Sequence, residues 1–511
     1  MLTFGELARR NGRTCGDKDA FVELDRRVSW GEFDARTDAL GHALRALGVR
    51  PGDRVAMLAP DCIETAELFI ACAKIGAIRV GLNVRLAAPE IAALVGDSEP
   101  HLLFVRSDHR RSLTPVESGR PTLIGFGGSH GLDTDYEELI ARHRRDGELA
   151  QTPADIVMIA YTTGSTGLPK GAIYLHDRFL ASILYTALYE GIMQDSIWLH
   201  AMPAAGIPIM HMLRNVFHGA TTVIVGPWDP DRALLLLERE RSTNCVLVPT
   251  MLNSLLACES LGKRDVSSMR ILGYGASPLP AATIREAMKA FRRPFLQMYG
   301  TTELMGMSMM LLPSDHERGL ASHSEILASA GKPLSFVDIR IVDDERREVA
   351  PGEVGELIVK SETQFPGYWR APDKYAETVI DGWLFTGDMA RQDRDGYVYL
   401  SDRAKFRIKT GGYNVFPTEI ENVLAQHPAV DEVAVVGLPD ATWGERVQAV
   451  ITLRPRANAT PEELREFCRG KIADFKVPKS IDIWSQMPKG PTGKIQKRAI
   501  IELLAADGTG R

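Results

Sequence analysis

The chain has 511 residues, 45% of them hydrophobic and 25% charged, which is ordinary for a globular protein and long enough for two or more domains. Its formal net charge of −6 provides no electrostatic basis for binding nucleic acid. The N-terminus lacks a basic start followed by an apolar core, and no apolar run reaches the length of a membrane span. We therefore expect a cytoplasmic protein with no membrane span.

Six cysteines are scattered along the chain without a CxxC pair. Four of them, Cys62, Cys72, Cys245 and Cys258, lie among apolar residues. This placement favours buried, reduced thiols over disulfides or a zinc site.

Helices and strands alternate along the first half of the sequence. Ser29 and Glu32 have the spacing of a capping box, and the helix they begin would end at Gly48. A strand is predicted at Arg54–Leu58, and Asp61 is predicted to cap the next helix. The alternation continues through predicted elements at Leu102–Val105, Arg178–Tyr189 and Thr221–Val225. Such a pattern is typical of parallel strands joined by crossover helices.

An apolar run of strand length, residues 156–161, breaks into a loop of glycine and hydroxyl residues that ends at Lys170. Glycines allow backbone N–H groups to approach an anion closely, and hydroxyl groups and a lysine add donors suited to phosphate. Pro169 precedes Lys170 and Gly171 follows it, so the loop differs from the P-loop of kinases and GTPases. The sequence predicts phosphate contact here, with a plain surface loop as the alternative.

A second run with chemical character is Tyr299-Gly300-Thr301-Thr302-Glu303. The tyrosine ring offers a face to a purine, Gly300 allows a substrate to lie against the backbone, and Thr302 is a donor. The Glu303 carboxylate is a hard oxygen ligand suited to Mg²⁺. Taken alone, the run could also be a strand end followed by a helix cap.

Together with further segments in a fixed order, these runs resemble the adenylate-forming enzymes. That superfamily comprises acyl- and aryl-CoA synthetases, peptide-synthetase adenylation domains and luciferases, and the chain is most similar to an acyl- or aryl-CoA ligase. The segments are Tyr161–Gly171, Leu272–Pro278, Gln297–Glu303, Gly382–Asp388, Ser401–Glu421 and Pro488–Ile495. The similarity covers roughly residues 20–505.

The resemblance implies a role for each matching residue. The implied catalytic residues are Lys494, Thr302 and Glu303, of which Glu303 is also the implied Mg²⁺ ligand. The implied ATP-binding residues are Thr162, Thr163, Gly164, Ser165, Thr166, Gly167, Lys170, Gly275, Ala276, Ser277, Tyr299, Gly300, Thr301, Asp388, Arg403 and Asn414. The implied CoA-channel residues are Gly411 and Gly412, and the implied hinge residue is Lys405. The acyl pocket is expected at Ala205, Gly206, Tyr274, Met298 and Met305, although core packing is the commoner role for methionines such as Met305.

Two positions depart from the family pattern. After Pro203 the family typically has an apolar residue, an aromatic and a histidine, whereas this chain has Ala205 and Gly206 at the last two places. The lost bulk would leave a void beside the reacting carboxylate, which we expect a bulky acid or a neighbouring side chain to fill. The nearby histidines that could replace the missing one, or be ordinary structural residues, are His200, His211 and His218. Phe406 stands where the family usually has an acidic residue.

The predicted fold is α/β. A large N-terminal domain of layered mixed sheets and helices, residues 1–401, would include a β-rich subdomain at residues 331–401. A hinge at residues 402–405 would join it to a small, mobile α+β lid, residues 406–511, that carries Lys494. In the lid, Thr418 and Glu421 have capping-box spacing, and Thr460 begins another helix.

The implied reaction uses a carboxylic acid, MgATP and CoA, and proceeds through an acyl-AMP. An acyl-AMP ligase that delivers to a carrier protein is an alternative. An amino-acid adenylation domain would want an acidic residue near Pro203, where this chain has Ala204 and Ala205. A nucleotide-binding homologue without catalysis is disfavoured because Lys170, Glu303 and Lys494 are all present. A homodimer is compatible with the sequence, which does not determine the oligomeric state.

Overall fold

The structure, a computed structural model, describes residues 2–113, 121–132, 134–162, 170–275, 279, 281–403, 406, 408–410, 413–440, 444–469, 471–472, 474–490 and 494–508. The backbone alone is described at Thr162, Asp402, Arg403, Lys409, Tyr413, Asn414, Gly444, Phe475, Asp507 and Gly508. None of the helices within these ranges combines the length and apolar character that crossing a membrane requires.

The elements follow the α/β class that the sequence predicts. The helices are α1 (Phe4–Thr14), α2 (Trp30–Ala46), α3 (Ile63–Ile75), α4 (Ala88–Ser98), α5 (Tyr136–His143), α6 (His176–Tyr189), α7 (Ile209–Met212), α8 (Pro230–Arg239), α9 (Pro249–Leu256), α10 (Ala281–Phe291), α11 (Pro313–Ala321), α12 (Pro372–Thr378), α13 (Pro417–Leu424), α14 (Pro461–Cys468) and α15 (Lys497–Gly508). The first strands are β1 (Asp19–Glu23), β2 (Arg26–Ser29), β3 (Arg54–Leu58), β4 (Ile78–Leu82), β5 (Leu102–Arg106), β6 (Thr122–Phe126), β7 (Ile156–Thr162), β8 (Lys170–Leu175), β9 (Ile197–His200), β10 (Thr221–Ile224), β11 (Asn244–Leu247) and β12 (Ile271–Gly275). The remaining strands are β13 (Phe295–Thr301), β14 (Gly306–Leu311), β15 (Lys332–Pro333), β16 (Val337–Val342), β17 (Gly355–Ser361), β18 (Val379–Ile380), β19 (Trp383–Gln392), β20 (Val398–Arg403), β21 (Ile408–Thr410), β22 (Tyr413–Val415), β23 (Val430–Asp440), β24 (Gly444–Leu453) and β25 (Ser480–Ile483).

A six-stranded sheet has the order β6-β5-β3-β4-β7-β8. Its strands are parallel except for the antiparallel pair β7–β8 at one edge. Strand β4 is buried at every residue, as expected for a central parallel strand that is covered on both faces. Helix α3 is also buried throughout, because its residues contribute to the core of this sheet and to the larger neighbouring core.

A nine-stranded sheet has the order β15-β14-β13-β12-β11-β9-β10-β1-β2. The strands from β13 to β1 pair in parallel, and antiparallel strands close both ends. Strand β1 of the hairpin β1–β2 pairs with β10, and Phe21 lies opposite Thr222. The N-terminal segment therefore completes a sheet that is formed mainly by much later residues. The largest buried apolar cluster spans this sheet and its helices.

Two smaller sheets follow. Strands β16, β17, β19 and β18 pair in that order with β20 beside β19, all antiparallel, which confirms the predicted β-rich region. The last sheet has the order β22-β21-β24-β23 with β25 parallel to β24. Its side chains, among them Ile408, Val435 and Ile451, form a separate buried cluster with helices α13 and α14. The predicted α/β class with a small C-terminal α+β unit is confirmed, whereas the hinge boundaries stay a prediction.

The helix caps test the local predictions. The Glu32 N–H donates to Ser29 Oγ at 3.3 Å, and Thr460 with Glu463 forms a complete capping box, so both predicted helix starts are confirmed. The cap predicted at Asp61 is wrong, because helix α3 begins after Cys62 without a side-chain cap. The cap predicted at Thr418 is also wrong, because α13 begins at Pro417 and its N-cap is Phe416, two residues before the predicted cap. The Asp61 carboxylate lies 3.1 Å from His200 Nε2 instead, and Glu421, the predicted partner of Thr418, accepts the Val435 N–H at 2.6 Å.

All six cysteines are free thiols. Burial is complete or nearly so at Cys62, Cys72, Cys245 and Cys468, whereas Cys258 is half-buried. Burial raises the pKa of the Cys72 thiol to about 12, so this thiol stays protonated and unreactive at neutral pH.

Helix α1 is attached to α6 through a buried histidine. The Phe4 N–H donates to His176 Nε2 at 2.9 Å, which requires a neutral imidazole, and burial lowers the pKa of His176 to about 4. The unfolded chain, with a histidine pKa near 6.5, binds a proton that the folded protein excludes, so stability is lost as the pH falls through this window. We expect His176 to reduce the free energy of unfolding by about 2 kcal/mol between pH 7 and pH 5.

The measurement is urea unfolding at pH 7, 6 and 5 for the wild type and for His176→Gln, which does not titrate. The variant should be less stable at pH 7 but should lose less stability on acidification. An identical pH dependence in the two proteins would contradict the role given to His176.

Candidate active site

The glycine-rich loop connects the antiparallel strands β7 and β8 at the edge of the six-stranded sheet. Thr162 lies opposite Lys170 in the register of these strands, so both ends of the loop are defined. The predicted site residues outside the described part of the chain are Thr163, Gly164, Ser165, Thr166, Gly167, Ala276, Ser277, Lys405, Gly411 and Gly412. Their roles stay predictions.

At the end of this loop, a lysine, a tyrosine and a glutamate form a connected group. The Lys170 ammonium lies 5.1 Å from the centre of the Tyr368 ring, a cation–π distance. The Tyr368 hydroxyl donates to Glu303 Oε1 at 2.8 Å. Burial and the Glu303 carboxylate both raise the pKa of Tyr368, so the hydroxyl keeps its proton and remains a donor. The Glu303 carboxylate is therefore oriented toward the lysine end of the loop.

The backbone before Glu303 is held from two sides. The Tyr174 hydroxyl of β8 donates to the Thr302 carbonyl oxygen at 2.8 Å. Gly300 packs against β14, and a Cβ built there would overlap the Gly306 carbonyl oxygen. The glycine at 300 is therefore explained by this close approach of two strands. Thr301 Oγ1 is buried and has no hydrogen-bond partner among the described residues, which makes it an available donor at the site.

At the other end of the same run, Tyr299 meets the β-rich region. Its hydroxyl donates to Asp388 Oδ2 at 2.6 Å. The Asp388 N–H donates to Thr386 Oγ1 at 3.1 Å, and Asp388 lies opposite Arg403 in the pairing of β19 with β20. Tyr299, Asp388 and the backbone of Arg403, which are all predicted nucleotide contacts, are thus brought together.

The segment that departs from the family pattern follows β9 and is held by a buried aspartate. Asp61 Oδ1 accepts the Ala204 N–H at 2.7 Å, and Oδ2 lies 3.1 Å from His200 Nε2. His200 is 1% exposed, and its Nδ1 has no partner among the described residues. Asp61 therefore anchors both the end of the strand and the loop after it.

From the other side, Arg79 of β4 holds the two following carbonyl groups. Its guanidinium donates to the Ala204 oxygen at 3.0 Å and to the Ala205 oxygen at 2.9 Å. Gly81 makes room for this contact, since a Cβ there would overlap the Ala205 carbonyl oxygen. Burial lowers the pKa of Arg79 to about 10, so the group stays charged at neutral pH.

The space at Gly206 is open in the described structure. A Cβ built on this residue would have one neighbour within 4 Å, the Tyr161 carbonyl oxygen at 3.9 Å. Tyr161 lies near the end of β7, two residues before the undescribed loop. Gly206 therefore lies beside the strand that leads into the predicted phosphate loop, and no described side-chain atom lies within 4 Å of its Cβ position.

The other predicted pocket residues are deeply buried. Tyr274 points its hydroxyl toward His316 Nε2 of α11 at 3.0 Å, and Met298 and Met305 are 3% and 0% exposed. A Cβ on Gly275 would lie 2.6 Å from the Met298 carbonyl oxygen, so this glycine marks a close approach between β12 and β13. The side chains of Tyr274, Met298 and Met305 belong to the largest apolar cluster, and their contact with an acid stays a prediction.

Two of the candidate histidines make their described contacts outside the Gly206 loop. His211 stacks in parallel on Trp198 at 5.7 Å, and its Nδ1 lies 3.4 Å from the Arg214 guanidinium. Burial, followed by the charge of Arg214, lowers the pKa of His211 well below its usual range. His218 is half-buried near the N-terminal helix, where burial and Arg10 lower its pKa. Neither is positioned by a described contact with the candidate site.

In the C-terminal unit, Lys494 is exposed on a short loop. Its carbonyl oxygen accepts the Gly490 N–H at 2.8 Å, and the Gln496 N–H donates to the Pro488 oxygen at 2.9 Å, which closes the loop base. Lys489, also on this loop, forms an ion pair with Glu432 at 2.7 Å. Asn414 is described by its backbone in β22.

Glu303 is the described residue best suited to hold magnesium. Mg²⁺ prefers six oxygen ligands and is commonly bound by one or two carboxylates together with substrate phosphates and water. In the described part of the chain, no group of three or more His, Cys, Asp and Glu side chains is placed to hold a metal. This donor set fits an ion shared between Glu303 and phosphate oxygens rather than one held by protein alone.

The sequence did not single out four residues that organise this site: Asp61 as a loop anchor, Arg79, Tyr174 and Tyr368. A tyrosine that follows Pro366-Gly367 was a signal of an ordered turn. An arginine inside the otherwise apolar strand β4 was a signal of a buried polar contact. The partners of all four lie far away in sequence, so local spacing did not identify them.

Comparison with protein families gives two matches. A model described as AMP-binding enzyme matches residues 7–369, and one described as AMP-binding enzyme C-terminal domain matches residues 419–494. Among the similar curated proteins, the fatty acid–[acyl-carrier-protein] ligase ScoC of Streptomyces coeruleorubidus is 34% identical over 495 residues, which cover 94% of this chain and 92% of ScoC. The feruloyl-CoA synthase of Amycolatopsis sp is 34% identical over 472 residues, 92% of either chain.

Solved structures give the same picture. The anthranilate CoA ligase AuaEII in complex with anthranoyl-AMP superposes with a TM-score of 0.89 at 28% identity, covering 99% of this chain and 98% of that one. Its architecture therefore extends over nearly the whole length of the chain.

Proposed function

Because the chain belongs to the AMP-binding, adenylate-forming enzymes that include the acyl- and aryl-CoA ligases, we propose that it is an ATP-dependent carboxylic acid:CoA ligase. The observation that carries the proposal is that one short segment, Tyr299–Glu303, connects the two groups of predicted ATP-binding residues. Its first residue contacts Asp388, and its last is joined through Tyr368 to Lys170. One end suits a nucleoside, and the other suits phosphates with their metal ion.

In the first half-reaction, an oxygen of the acid attacks the α-phosphorus of ATP, and the bond to pyrophosphate breaks to leave an acyl-AMP. No general base is needed, because a carboxylic acid is already ionised at neutral pH. Negative charge on the phosphate oxygens would be stabilised by Lys494, Thr302 and the glycine-rich loop that ends at Lys170. When bound at Glu303, Mg²⁺ would neutralise part of that charge. Asp388 and Tyr299 would hold the ribose and adenine.

In the second half-reaction, the thiol of CoA adds to the acyl carbonyl carbon and AMP leaves, which yields acyl-CoA. Two reactions in one site require a rearrangement between them. We assign it to a rotation of residues 406–511 about a hinge at residues 402–405, centred on Lys405. The rotation would withdraw Lys494 and bring Gly411 and Gly412 beside the pantetheine arm.

The proposed substrate is a bulky apolar acid: polycyclic, aryl or fatty. The open space at Gly206, beside the end of β7, is the structural support for this proposal. Two of the compared proteins, a feruloyl-CoA synthase and an anthranilate CoA ligase, are named for aryl acids. An apolar pocket can accept each of these acid classes.

Filling the space should change the choice of acid. We expect Gly206→His to reduce kcat/KM by about tenfold or more for polycyclic and aryl acids and to have a smaller effect on slim acids. The matched control is Gly206→Ala, which adds one methyl group with no described neighbour nearer than 3.9 Å. Competition between a bulky and a short acid in one reaction gives the selectivity directly. A uniform reduction for all acids would remove the link between Gly206 and substrate size.

Delivery to a carrier protein is the second candidate function, and one observation favours it. ScoC, which is 34% identical to this chain, is named as a ligase of fatty acids to acyl-carrier protein. Both functions share the first half-reaction, so only the acceptor distinguishes them.

The test is to incubate the protein with MgATP and a panel of short, long-chain, aryl and polycyclic acids, with and without CoA. AMP, pyrophosphate and acyl-CoA are measured by mass spectrometry. CoA-dependent acyl-CoA from one acid class would support the ligase. Acyl-AMP and pyrophosphate without thioester would redirect the search to a carrier protein, and no adenylate from any acid would contradict the proposal.

A further inference from the structure

Arg79 is an exception among the buried cations. It is 2% exposed, and no carboxylate lies within ion-pair distance of its guanidinium among the described residues. The other buried cations of the described chain, Arg36, Lys74 and Arg214, each contact a carboxylate. A buried charge without a counter-ion is strongly unfavourable unless other groups compensate it. At Arg79 the compensation comes from two backbone carbonyl groups and the Met158 sulfur at 3.5 Å, and Nε has no partner among the described residues.

These two carbonyl groups belong to successive peptides. The Ala204 and Ala205 oxygens both accept from the same guanidinium, at 3.0 and 2.9 Å. In a trans peptide the N–H group points opposite to the C=O group. The N–H groups of Ala205 and Gly206 therefore both point away from Arg79 and from strand β4.

Neither of these N–H groups makes a hydrogen bond of good geometry with a described residue, although residues 204–205 form a turn that brings the Gly206 N–H toward the Pro203 carbonyl group. The preceding N–H, that of Ala204, is by contrast bound to Asp61 at 2.7 Å. Ala205 and Gly206 are half-buried, and the Gly206 Cβ position faces open space beside Tyr161. Two adjacent N–H donors that point the same way form an anion-binding arrangement, and the charge on the far side of each peptide strengthens it.

We infer that Arg79 is a positioning residue that fixes the Ala205 and Gly206 N–H groups as a donor pair for the acyl oxygen that is not bonded to phosphorus. This inference rests on the proposed acid:CoA ligase function. The donor pair takes over a place where the family has side chains and this chain has a methyl group and a hydrogen. It requires a small residue at 206, because a larger one would cover the donors.

The same acyl oxygen carries different charge in the two half-reactions. It shares the charge of the carboxylate in the bound acid, and it loses charge as the acyl–phosphate bond forms. When the CoA sulfur then adds to the carbonyl carbon and the thiol proton leaves to solvent, the carbonyl π pair becomes a full charge on this oxygen. That charge returns to the carbonyl as the C–O bond to AMP breaks. The donor pair should therefore support acid binding in the first step and the transition state in the second.

The predicted signature is a division between KM and kcat. Arg79→Met keeps the bulk of the side chain but removes the guanidinium N–H groups that hold the two carbonyl groups. In this variant, KM for the acid in adenylation should rise about tenfold while kcat changes by less than about twofold. Thioester formation from supplied acyl-AMP should slow by about 100-fold, as when an oxyanion donor is misplaced. KM for ATP should not change. Arg79→Lys keeps the charge and can reach one carbonyl group. Its KM for the acid and its rate of thioester formation should lie between those of the wild type and those of Arg79→Met.

Arg36→Met is the control for lost stability. Arg36 is also buried, but it pairs with Glu67 of α3 and Glu137 of α5 and makes none of the contacts described for the Gly206 loop. The Arg36→Met substitution should lower the unfolding temperature without changing KM for the acid or the ratio of the rates of the two half-reactions. An equal fall in kcat of both half-reactions in Arg79→Met, with KM unchanged, would overturn the inference.

A measurement on a bound mimic separates this inference from the proposed function and needs no turnover. The probes are decanoyl- and cinnamoyl-sulfamoyladenosine, each with ¹³C at the acyl carbonyl. In the wild type the carbonyl stretch should move to lower frequency on binding, and in Arg79→Met the shift should be largely lost. Equal shifts in both proteins would overturn the donor pair and leave the ligase function intact. Failure of the wild type to bind either probe would overturn the ligase function and the inference together.

Discussion

Replacing Lys494 with alanine should reduce acyl-AMP formation by about 10³-fold and leave thioester formation from supplied acyl-AMP within about threefold of the wild type. The reason is electrostatic. Charge collects on the α-phosphate oxygens in the first half-reaction, and an ammonium group placed there stabilises it. The second half-reaction places its new charge on the acyl oxygen, away from the lysine. Pyrophosphate exchange measures the first half-reaction, and mass detection of acyl-CoA measures the second.

The chain offers a matched control on the same loop. Lys489 pairs with Glu432 at 2.7 Å, and Lys494 is an exposed residue whose backbone carbonyl closes the same loop. Lys489→Ala removes an equal charge from the same loop, and it should leave both half-reactions close to wild type because exposed ion pairs contribute little. Equal losses of the two half-reactions in Lys494→Ala would contradict the step-specific role, and equal losses in both variants would point to damage to the loop.

Local patterns in the sequence were sufficient for the class of fold and for several element boundaries. The predicted strand Arg54–Leu58 has the observed bounds, and the helices at Ser29 and Thr460 begin with the predicted caps. Each depends on contacts within a few residues, where spacing and residue type determine the geometry.

Contacts between distant segments were not predictable in this way. Asp61 has the spacing of a helix cap, yet its carboxylate binds His200 and the Ala204 N–H, more than a hundred residues away. Glu421 has capping-box spacing, yet it accepts the Val435 N–H at 2.6 Å. In both cases a carboxylate beside a helix start had a choice of donors, and the tertiary structure supplied better ones.

The site shows the same division. Matching motifs identified Tyr299 and Asp388 separately, and the structure joins them by a hydrogen bond of 2.6 Å. Arg79 was not identified, because an arginine between apolar residues in a strand is also the pattern of a half-exposed strand. Its role depends on Gly81, which admits the loop, and on the carbonyl groups that the loop brings to it.

The second large effect is expected at Glu303. In Glu303→Gln the side-chain oxygen can still accept the Tyr368 hydroxyl, which now lies 2.8 Å from Oε1, so the local structure should persist. The substitution removes one negative charge beside the phosphates. We expect kcat/KM for adenylation to fall by about 10²–10³-fold and the Mg²⁺ concentration for half-maximal rate to rise several-fold, because a neutral amide is a weaker ligand for a hard cation.

Tyr368→Phe separates the charge from the hydrogen bond that orients it. The variant keeps the aromatic ring, whose centre lies 5.1 Å from the Lys170 ammonium, and removes only the donor to Glu303. Its adenylation rate should fall by about tenfold or less, with a small change in Mg²⁺ dependence, because the carboxylate remains and loses only its orientation. If Glu303→Gln kept the Mg²⁺ dependence of the wild type, Glu303 would not be a magnesium ligand. If instead Tyr368→Phe were as impaired as Glu303→Gln, orientation of the carboxylate would matter as much as its charge.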